Sequence, residues 1–277
     1  TLISAGTVNI DHEKAGMTAL RQASHFGHTM SVQVLLEGGA QPNLPTKRGT
    51  TALHLATEQR HAETVRALLH GGANPGAATK KGGQTSLMLA AQGGLSEIAQ
   101  QLLDHKAAAD QTNSNNATAL FYASGGGHID TARVLLRVGA NADHMDHSGA
   151  TPLMAAVGAG QSAVAKVLLD EGHATVDLSA GYNMTALSYA TDRGHAECIK
   201  VLLEAGADPN RVSGMSPDNR QPTADAQGFG SGTPLMAAAY HGHANSVRAL
   251  LDGGADATLL NDDGMTAQDL ARQMSRV

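Results

Sequence analysis

The chain has 277 residues and a formal net charge of −6, with no Trp, three Phe, four Tyr and 32 Gly. This charge argues against nucleic acid as a partner, because phosphate neutralisation requires a basic surface; the single cysteine rules out an intramolecular disulfide framework. The shortage of aromatic residues predicts a core of Leu, Val and Ala in a thin, repetitive architecture. Neither a membrane-spanning run nor a signal peptide is evident, so we expect a cytoplasmic protein, with the nucleus as the alternative location.

A threonine recurs along the sequence at nearly constant spacing. The steps between copies are 33 or 34 residues, except for one step of 48. A pair of leucines begins 17 residues after each of the first seven threonines, so the length variation falls in the connection before the next threonine. The threonines are Thr18, Thr51, Thr85, Thr118, Thr151, Thr185, Thr233 and Thr266. Such a period predicts a repeat architecture.

Each copy is predicted to contain two short helices separated by a turn. The threonine is placed to cap the first helix, and Pro152 and Pro234 follow it where a missing N–H costs nothing. A glycine nine residues later should end that helix in a left-handed turn, with Arg60 as the exception. A Gly-Ala pair closes the second helix in five copies; Lys106-Ala107 and Gly172-His173 depart from it, which predicts strain at Lys106.

Three segments, "GTTALHLATEQRH", "GATPLMAAVGAG" and "GTPLMAAAYHGHANSVRALLDGGAD", resemble the ankyrin repeat, which has a 33-residue period and a T-P-L-H-x-A signature. The resemblance covers essentially the whole chain, although only His54 keeps the signature histidine. It implies an all-α ankyrin-type helical repeat solenoid with hairpin-like connecting loops. We expect one array over residues 1–277, with repeats starting near 14, 47, 81, 114, 147, 181 and 229 and a C-terminal capping half repeat at 262–277.

Two parts of the sequence depart from the regular array. "LISAGTVNI" is similar to the tail of a preceding repeat, so the array is expected to begin in mid-repeat, as part of a longer protein. The 48-residue step adds 15 residues, which predicts an inserted mobile loop at 211–231. This loop is either a tolerated insertion or a segment that closes over a partner.

Several motifs imitate other chemistry. Gly158 to Ala163 mimics a dinucleotide fingerprint, but the preceding segment is in phase with six helical segments, so the strand that the motif needs is missing. His61 and His195 share one position of the repeat, which favours turn histidines that bond backbone groups over zinc ligands. Cys198 occupies a small, partly buried position without the electropositive setting of a catalytic thiol. We therefore expect no enzyme activity, cofactor or metal.

Partner-binding positions follow from the resemblance, which implies that hairpin tips and first-helix ends line a concave face. Lys47, Arg48, Lys80 and Lys81 should stack as basic tips, which favours an acidic or phosphorylated segment in the partner; solvated charges are the alternative. Other candidates at helix ends or tips are Phe26, Glu58, Tyr182, Arg193, Phe229, Tyr240 and His241. The remaining aromatic residues, Phe121, Tyr122 and Tyr189, are assigned to the core.

The stretch "FYASGGGHID" places Gly125 and Gly126 at the two helix-end positions of the fourth repeat. The missing side chains predict a bare saddle where a partner's backbone or helix lies close. The resulting hypothesis is a monomeric, noncatalytic protein-interaction module or scaffold. The alternatives are a substrate-targeting arm of a larger multidomain enzyme or channel and, more remotely, nucleotide binding at Gly158 to Ala163.

Overall fold

The structure is a computed structural model that describes residues 9–14, 16–214 and 231–274. Within these residues lie fifteen α-helices and no β-strand, which confirms the predicted all-α helical repeat fold. The helices are α1 Ala19–His25, α2 Thr29–Glu37, α3 Ala52–Glu58, α4 Ala62–His70, α5 Ser86–Gln92, α6 Ser96–Asp104, α7 Ala119–Gly125, α8 Ile129–Arg137, α9 Pro152–Gly158, α10 Ser162–Asp170, α11 Ala186–Asp192, α12 Ala196–Glu204, α13 Pro234–Tyr240, α14 Ala244–Asp252 and α15 Ala267–Met274.

The described chain divides into two compact units. The first reaches Ala123 and includes Asp130–Asn141; the second contains Ser124–Ile129 and continues from Ala142. In the first unit, α1 packs on α2 and α3, and α4 packs on α2, α3 and α6. In the second, α12 packs on α10, α11 and α14, and α13 packs on α11, α14 and α15. Each of these four helices therefore packs on its partner within the repeat and on the corresponding helix of the next repeat.

The repeat threonines cap the first helices, as predicted. Their hydroxyls accept a hydrogen bond from the backbone N–H three residues later at 3.2–3.4 Å, which satisfies one of the free donors of a helix start. The threonines in these bonds are Thr18, Thr85, Thr118, Thr151, Thr185 and Thr233. Behind each cap, the leucine and alanine of the first helix are buried in the core.

The connections between repeats are hairpin-like tips closed by backbone hydrogen bonds. The Thr46 N–H donates to the Thr50 carbonyl at 2.8 Å, and the Asp146 N–H donates to the Ala150 carbonyl at 3.0 Å. The Asp146 side chain also accepts the Ala150 N–H at 2.9 Å. These local bonds explain how such short loops keep one conformation without strands.

An Asp or Asn side chain links many neighbouring repeats below the tips. Asn43 accepts the Asn74 N–H at 2.7 Å, and Asp143 accepts the Thr175 N–H at 2.8 Å. Equivalent bonds join Asp110 to Asn141 and Asn210 to Asp256. Since each bond crosses from one repeat to the next, this column fixes the spacing between neighbouring repeats.

Six non-glycine residues in the described chain have a positive φ. Lys106 has a φ of 70°, which confirms the predicted strain there. The fifth repeat departs from the Gly-Ala pair, as the sequence indicated: His173, with a φ of 51°, takes the glycine position, and the Ala174 N–H donates to the Leu168 carbonyl. The extra residue at Gly172 shifts the register. The assignment of three aromatic residues to the core is wrong, because Phe121, Tyr122 and Tyr189 are half-buried.

Most of the predicted loop at 211–231 lies outside the described residues. At its described ends, Ser213 and Gly232 exchange two backbone hydrogen bonds of 3.1 Å. The N–H of Gly214 donates to the carbonyl of Tyr182 at 3.0 Å. The two described ends of the insertion are therefore hydrogen-bonded to each other, and they lie beside the tip that carries Tyr182.

Candidate functional site

Two predicted partner-binding residues lie at the C-terminal ends of first helices in the first unit. Phe26 is the C-cap residue of α1 and is 57% exposed. Its ring meets the His25 ring edge-on at 4.9 Å and stacks on His28 at 6.0 Å between centroids. Glu58 is the last residue of α3 and is exposed. Both side chains are thus presented to solvent by a rigid helix end.

The second unit presents a similar set at α11 and α13. Arg193 is the exposed C-cap residue of α11, and His241 is the exposed C-cap residue of α13. Tyr240, the last residue of α13, is half-buried and lies edge-on to His241 with 5.3 Å between ring centroids. Phe229 lies outside the described residues. The two described rings and the guanidinium group offer the amphipathic contacts that protein interfaces favour.

Tyr182 combines exposure with an unusual backbone. It sits in a short 3-10 helix at the tip before α11, is 38% exposed and has a φ of 60°. The next residue, Asn183, also has a positive φ of 57°, and its side-chain amide donates to the Val212 carbonyl at 2.6 Å. A bulky residue in the left-handed region is uncommon and costs about 1 kcal/mol or more. The tip thus holds an aromatic side chain in solvent at the expense of stability.

The basic tips lie side by side in the first unit. Lys47, Arg48, Lys80 and Lys81 are all exposed. The Lys80 N–H donates to the Arg48 carbonyl at 2.9 Å, so the two tips are joined through their backbones. The predicted stacking of these neighbours is therefore present. Four positive charges on two joined tips form a surface that is suited to carboxylates or phosphate groups.

The glycine stretch of the fourth repeat lies at a helix end, not at a helix start. α7 ends at Gly125, Gly126 is exposed and Gly127 makes the left-handed turn with a φ of 75°. A Cβ atom at Gly125 would meet Ala155 at 3.8 Å, an ordinary contact. Gly158 is the last residue of α9 and Ala163 lies in α10, so a helix and not the strand that a dinucleotide fingerprint requires precedes the motif.

The turn histidines bond backbone groups of the preceding repeat. His61 donates through Nε2 to the His25 carbonyl at 3.1 Å, and His243 donates to the Asp192 carbonyl at 3.2 Å. His54 is buried, donates through Nε2 to the Gln84 carbonyl at 3.1 Å and accepts the Thr51 hydroxyl at Nδ1 at 2.8 Å. Burial lowers the pKa of His54. These bonds confirm the structural interpretation of His61.

Cys198 does not lie in the setting of a reactive thiol. Burial raises the pKa of the Cys198 thiol to about 11, which keeps it protonated and unreactive near neutral pH. Across residues 9–14, 16–214 and 231–274, no group of three or more His, Cys, Asp or Glu side chains could hold a metal ion. In the same residues, no helix is long and apolar enough to cross a membrane.

One buried polar cluster was not predicted. Arg21 occupies the position of the signature histidine in the first repeat and is almost fully buried. It pairs with Glu13 and donates to the carbonyls of Gly16 at 3.0 Å and Leu44 at 3.2 Å. The sequence signal was an arginine at a core position, which requires a buried partner. The cluster joins the residues before α1 to the following tip.

Comparisons with known proteins agree with this architecture. The family described as ankyrin repeats in three copies matches residues 1–79, 72–146 and 136–213. The family described as ankyrin repeats in many copies matches residues 219–271. No curated protein matches the chain. The family matches cover most of the sequence, and the chain belongs to the ankyrin repeat family.

Proposed function

We propose that this chain is a noncatalytic protein-recognition module that binds partners through its hairpin tips and the C-terminal ends of its first helices. Ankyrin repeats are generally protein–protein interaction modules and are typically non-catalytic. The residues that the repeat leaves variable are at those tips and helix ends, whereas the threonines, leucines and alanines of each copy build the core. Specificity therefore belongs to the variable side chains.

The observation that carries this proposal is the exposed, strained Tyr182. Its φ of 60° is unfavourable for a tyrosine, and nothing in the core requires a ring at a position that is 38% exposed. Strained residues that persist on a surface are concentrated at functional sites. Tyr182 fits the role of an anchor that enters a pocket of the partner.

The basic tips of the first unit favour an acidic partner segment. Lys47, Arg48, Lys80 and Lys81 stand on two tips that are joined by a backbone hydrogen bond, so the spacing of their backbones is fixed before binding. Pre-organised donors lose less conformational entropy when they bind. An arginine beside lysines can form a bidentate pair of hydrogen bonds with a carboxylate or a phosphate group. We therefore propose an acidic or phosphorylated peptide segment as the ligand of these tips.

Affinity capture with quantitative mass spectrometry tests the proposal. The wild-type chain is compared with Lys47→Glu/Lys80→Glu and with Tyr182→Ala/Tyr240→Ala, each after circular dichroism has confirmed its fold. Lys166→Glu/Lys200→Glu is the charge-matched control, because both lysines are exposed on second helices away from the tips. Val34→Ala is the control for loss of an exposed apolar side chain, because Val34 lies on a second helix away from the tips.

We expect each recognition variant to lose at least one partner that the two controls keep. Treatment of the lysate with phosphatase should release the partners lost by Lys47→Glu/Lys80→Glu if phosphate groups are recognised. If both recognition variants retain every partner at wild-type levels, the proposed positions are wrong.

A further inference from the structure

Two histidines lie against each other where the second and third repeats meet. His70 is the last residue of α4, and His105 is the C-cap residue of α6. Their rings meet edge-on with 5.2 Å between centroids. Both residues belong to the first unit; His70 is exposed and His105 is half-buried. The pair is therefore accessible to ions in the solvent.

The repeat explains why these two side chains meet. His105 occupies the position of its repeat that Gly71 occupies in the second repeat, directly after the second helix. A Cβ atom at Gly71 would lie 2.6 Å from the side chain of Leu36 in the preceding repeat, so this position faces back along the array. A histidine there is directed at the end of the preceding second helix, which is His70.

Hydrogen bonds determine which nitrogen of each ring carries the proton. The Nδ1 atom of His70 lies 2.8 Å from the Arg66 carbonyl oxygen, and that of His105 lies 2.9 Å from the Gln101 carbonyl oxygen. Because a carbonyl oxygen only accepts, each Nδ1 carries the hydrogen and the lone pair of the neutral ring is on Nε2. Neither Nε2 has a hydrogen-bond partner in the part of the chain that the structure describes. Histidine ligands of metal ions have this arrangement, in which the other ring nitrogen donates to a backbone carbonyl.

The distance between the two rings suits one shared metal ion. Two imidazoles on a tetrahedral Zn²⁺, each with a Zn–N distance of about 2.0 Å, have ring centroids about 5 Å apart. Imidazole nitrogen is a ligand of Zn²⁺, Cu²⁺ and Ni²⁺, whereas Mg²⁺ and Ca²⁺ prefer oxygen. Among the described residues, no third His, Cys, Asp or Glu side chain completes the group. Water molecules would therefore take the remaining positions of the ion.

The same pair of repeats lacks a side-chain bond that links many other neighbouring repeats. Asn43 and Asp110 each accept a backbone N–H of the next repeat, but the corresponding residue of the second repeat is Gly76. Gln111 donates to the Gly76 carbonyl at 3.1 Å, so one polar contact remains. An ion that is held by one histidine from each repeat would supply the missing connection.

We propose that His70 and His105 bind a divalent transition-metal ion, with Zn²⁺ as the expected ion, and that this ion joins the second repeat to the third. Each histidine coordinates the ion through Nε2, while its Nδ1–H keeps the hydrogen bond to the backbone. Both ligands belong to the ends of second helices and not to the tips or first-helix ends proposed above. Either proposal can therefore fail without the other.

Calorimetric titration of the 277-residue chain with zinc chloride tests the proposal. The variants are His70→Gln, which keeps a hydrogen-bond donor, and His105→Gly, which introduces the residue that the second repeat has as Gly71. His12→Gln is the matched control, because His12 is also exposed. Magnesium chloride is the control for general cation binding. Urea denaturation with and without zinc measures whether the ion stabilises the fold.

We expect the tightest zinc site to hold one ion per chain, to be weakened at least tenfold in both His70→Gln and His105→Gly, and to be unchanged in His12→Gln. Zinc should raise the urea midpoint of the wild type and of His12→Gln but not of the other two variants, because an ion that binds only the folded chain stabilises it. Absence of zinc binding by the wild type, or wild-type affinity in either His70→Gln or His105→Gly, would overturn the proposal. A zinc-dependent dimer that both variants abolish would place the ion between two chains and would also overturn it.

Discussion

Tyr182 has the backbone conformation of a glycine. The tip before α5 has a glycine with a φ of 91° at the corresponding position, Gly82, and the strain at Tyr182 is absent from that repeat. Lys106 is strained in the same way, with a φ of 70°, but it follows a second helix and is not a recognition candidate. A comparison of the two residues therefore distinguishes the effect of a positive φ on stability from its effect on partner binding.

Both Tyr182→Gly and Lys106→Gly should stabilise the chain, each by about 1 kcal/mol, because glycine adopts a positive φ without a steric penalty. Only Tyr182→Gly should also weaken partner binding. Urea denaturation measures the first effect, and titration with the captured partner measures the second. Unchanged stability in both variants would show that the positive φ carries no cost.

His54 makes stability depend on pH. Burial lowers its pKa in the folded chain, so below the ordinary value of about 6.5 the unfolded chain binds more protons and the free energy of unfolding falls. Above that pH, His54 is neutral in both states and its contribution is constant.

The control is His54→Gln, which keeps hydrogen-bonding capacity but does not titrate. Urea denaturation from pH 7.5 to 5 should show a smaller loss of stability in this variant than in the wild type, since the other 13 histidines are common to both. Parallel curves would contradict the assignment of a lowered pKa to His54.

At the scale of elements, neighbouring tips approach each other closely. A Cβ atom at Gly49, whose φ is 86°, would stand 2.6 Å from the backbone nitrogen of Lys80. That nitrogen donates the hydrogen bond to Arg48 that joins the basic tips. The tip geometry thus requires glycine at position 49 for two reasons: its backbone has a positive φ, and a Cβ atom would clash with the neighbouring tip.

Gly49→Ala should therefore destabilise the chain more than Gly39→Ala. Gly39 has nearly the same φ, 88°, but a Cβ atom there would meet nothing within 4 Å. We expect a loss of about 1 kcal/mol for Gly39→Ala from backbone strain and at least about 1 kcal/mol more for Gly49→Ala from the clash. Equal losses by urea denaturation would show that the tips can separate freely.

The helices and their caps could be predicted from the sequence because the same residues recur in phase. The pattern is local: it consists of a threonine, a leucine two residues later and an alanine five residues later. The hydrogen bond by which the threonine caps the helix is also local, so the pattern predicts where the helix begins. Lys106 was predictable for the same reason. His173 was not, because one inserted residue can be absorbed at either of two positions and tertiary packing chooses between them.

The site was less predictable than the fold. The tips and helix ends could be located by register, but the hydrogen bonds that join the tip of Tyr182 and Asn183 to Val212 and Gly214 could not. The pairing of Arg21 with Glu13 joins two elements and leaves no periodic trace.

At the scale of the whole molecule, stability comes from contacts between neighbouring repeats, and the first helices, second helices and tips present different surfaces. α15 packs on α13 and exposes Gln268, Asp269, Arg272 and Gln273 to solvent. We propose that the tips and first-helix ends, and not the outward face of the second helices, contact the partner. The bare saddle at Gly125 and Gly126 remains a prediction of that claim.

Site-specific photo-crosslinking tests this claim most directly. Benzoylphenylalanine is placed singly at Gly126 or Arg193, which are first-helix end positions, and at Lys166 or Lys200, which are exposed on second helices. After irradiation of the chain with its captured partner, we predict crosslinks from Gly126 and Arg193 and none from Lys166 and Lys200. Crosslinks from the second-helix positions alone would contradict the claim.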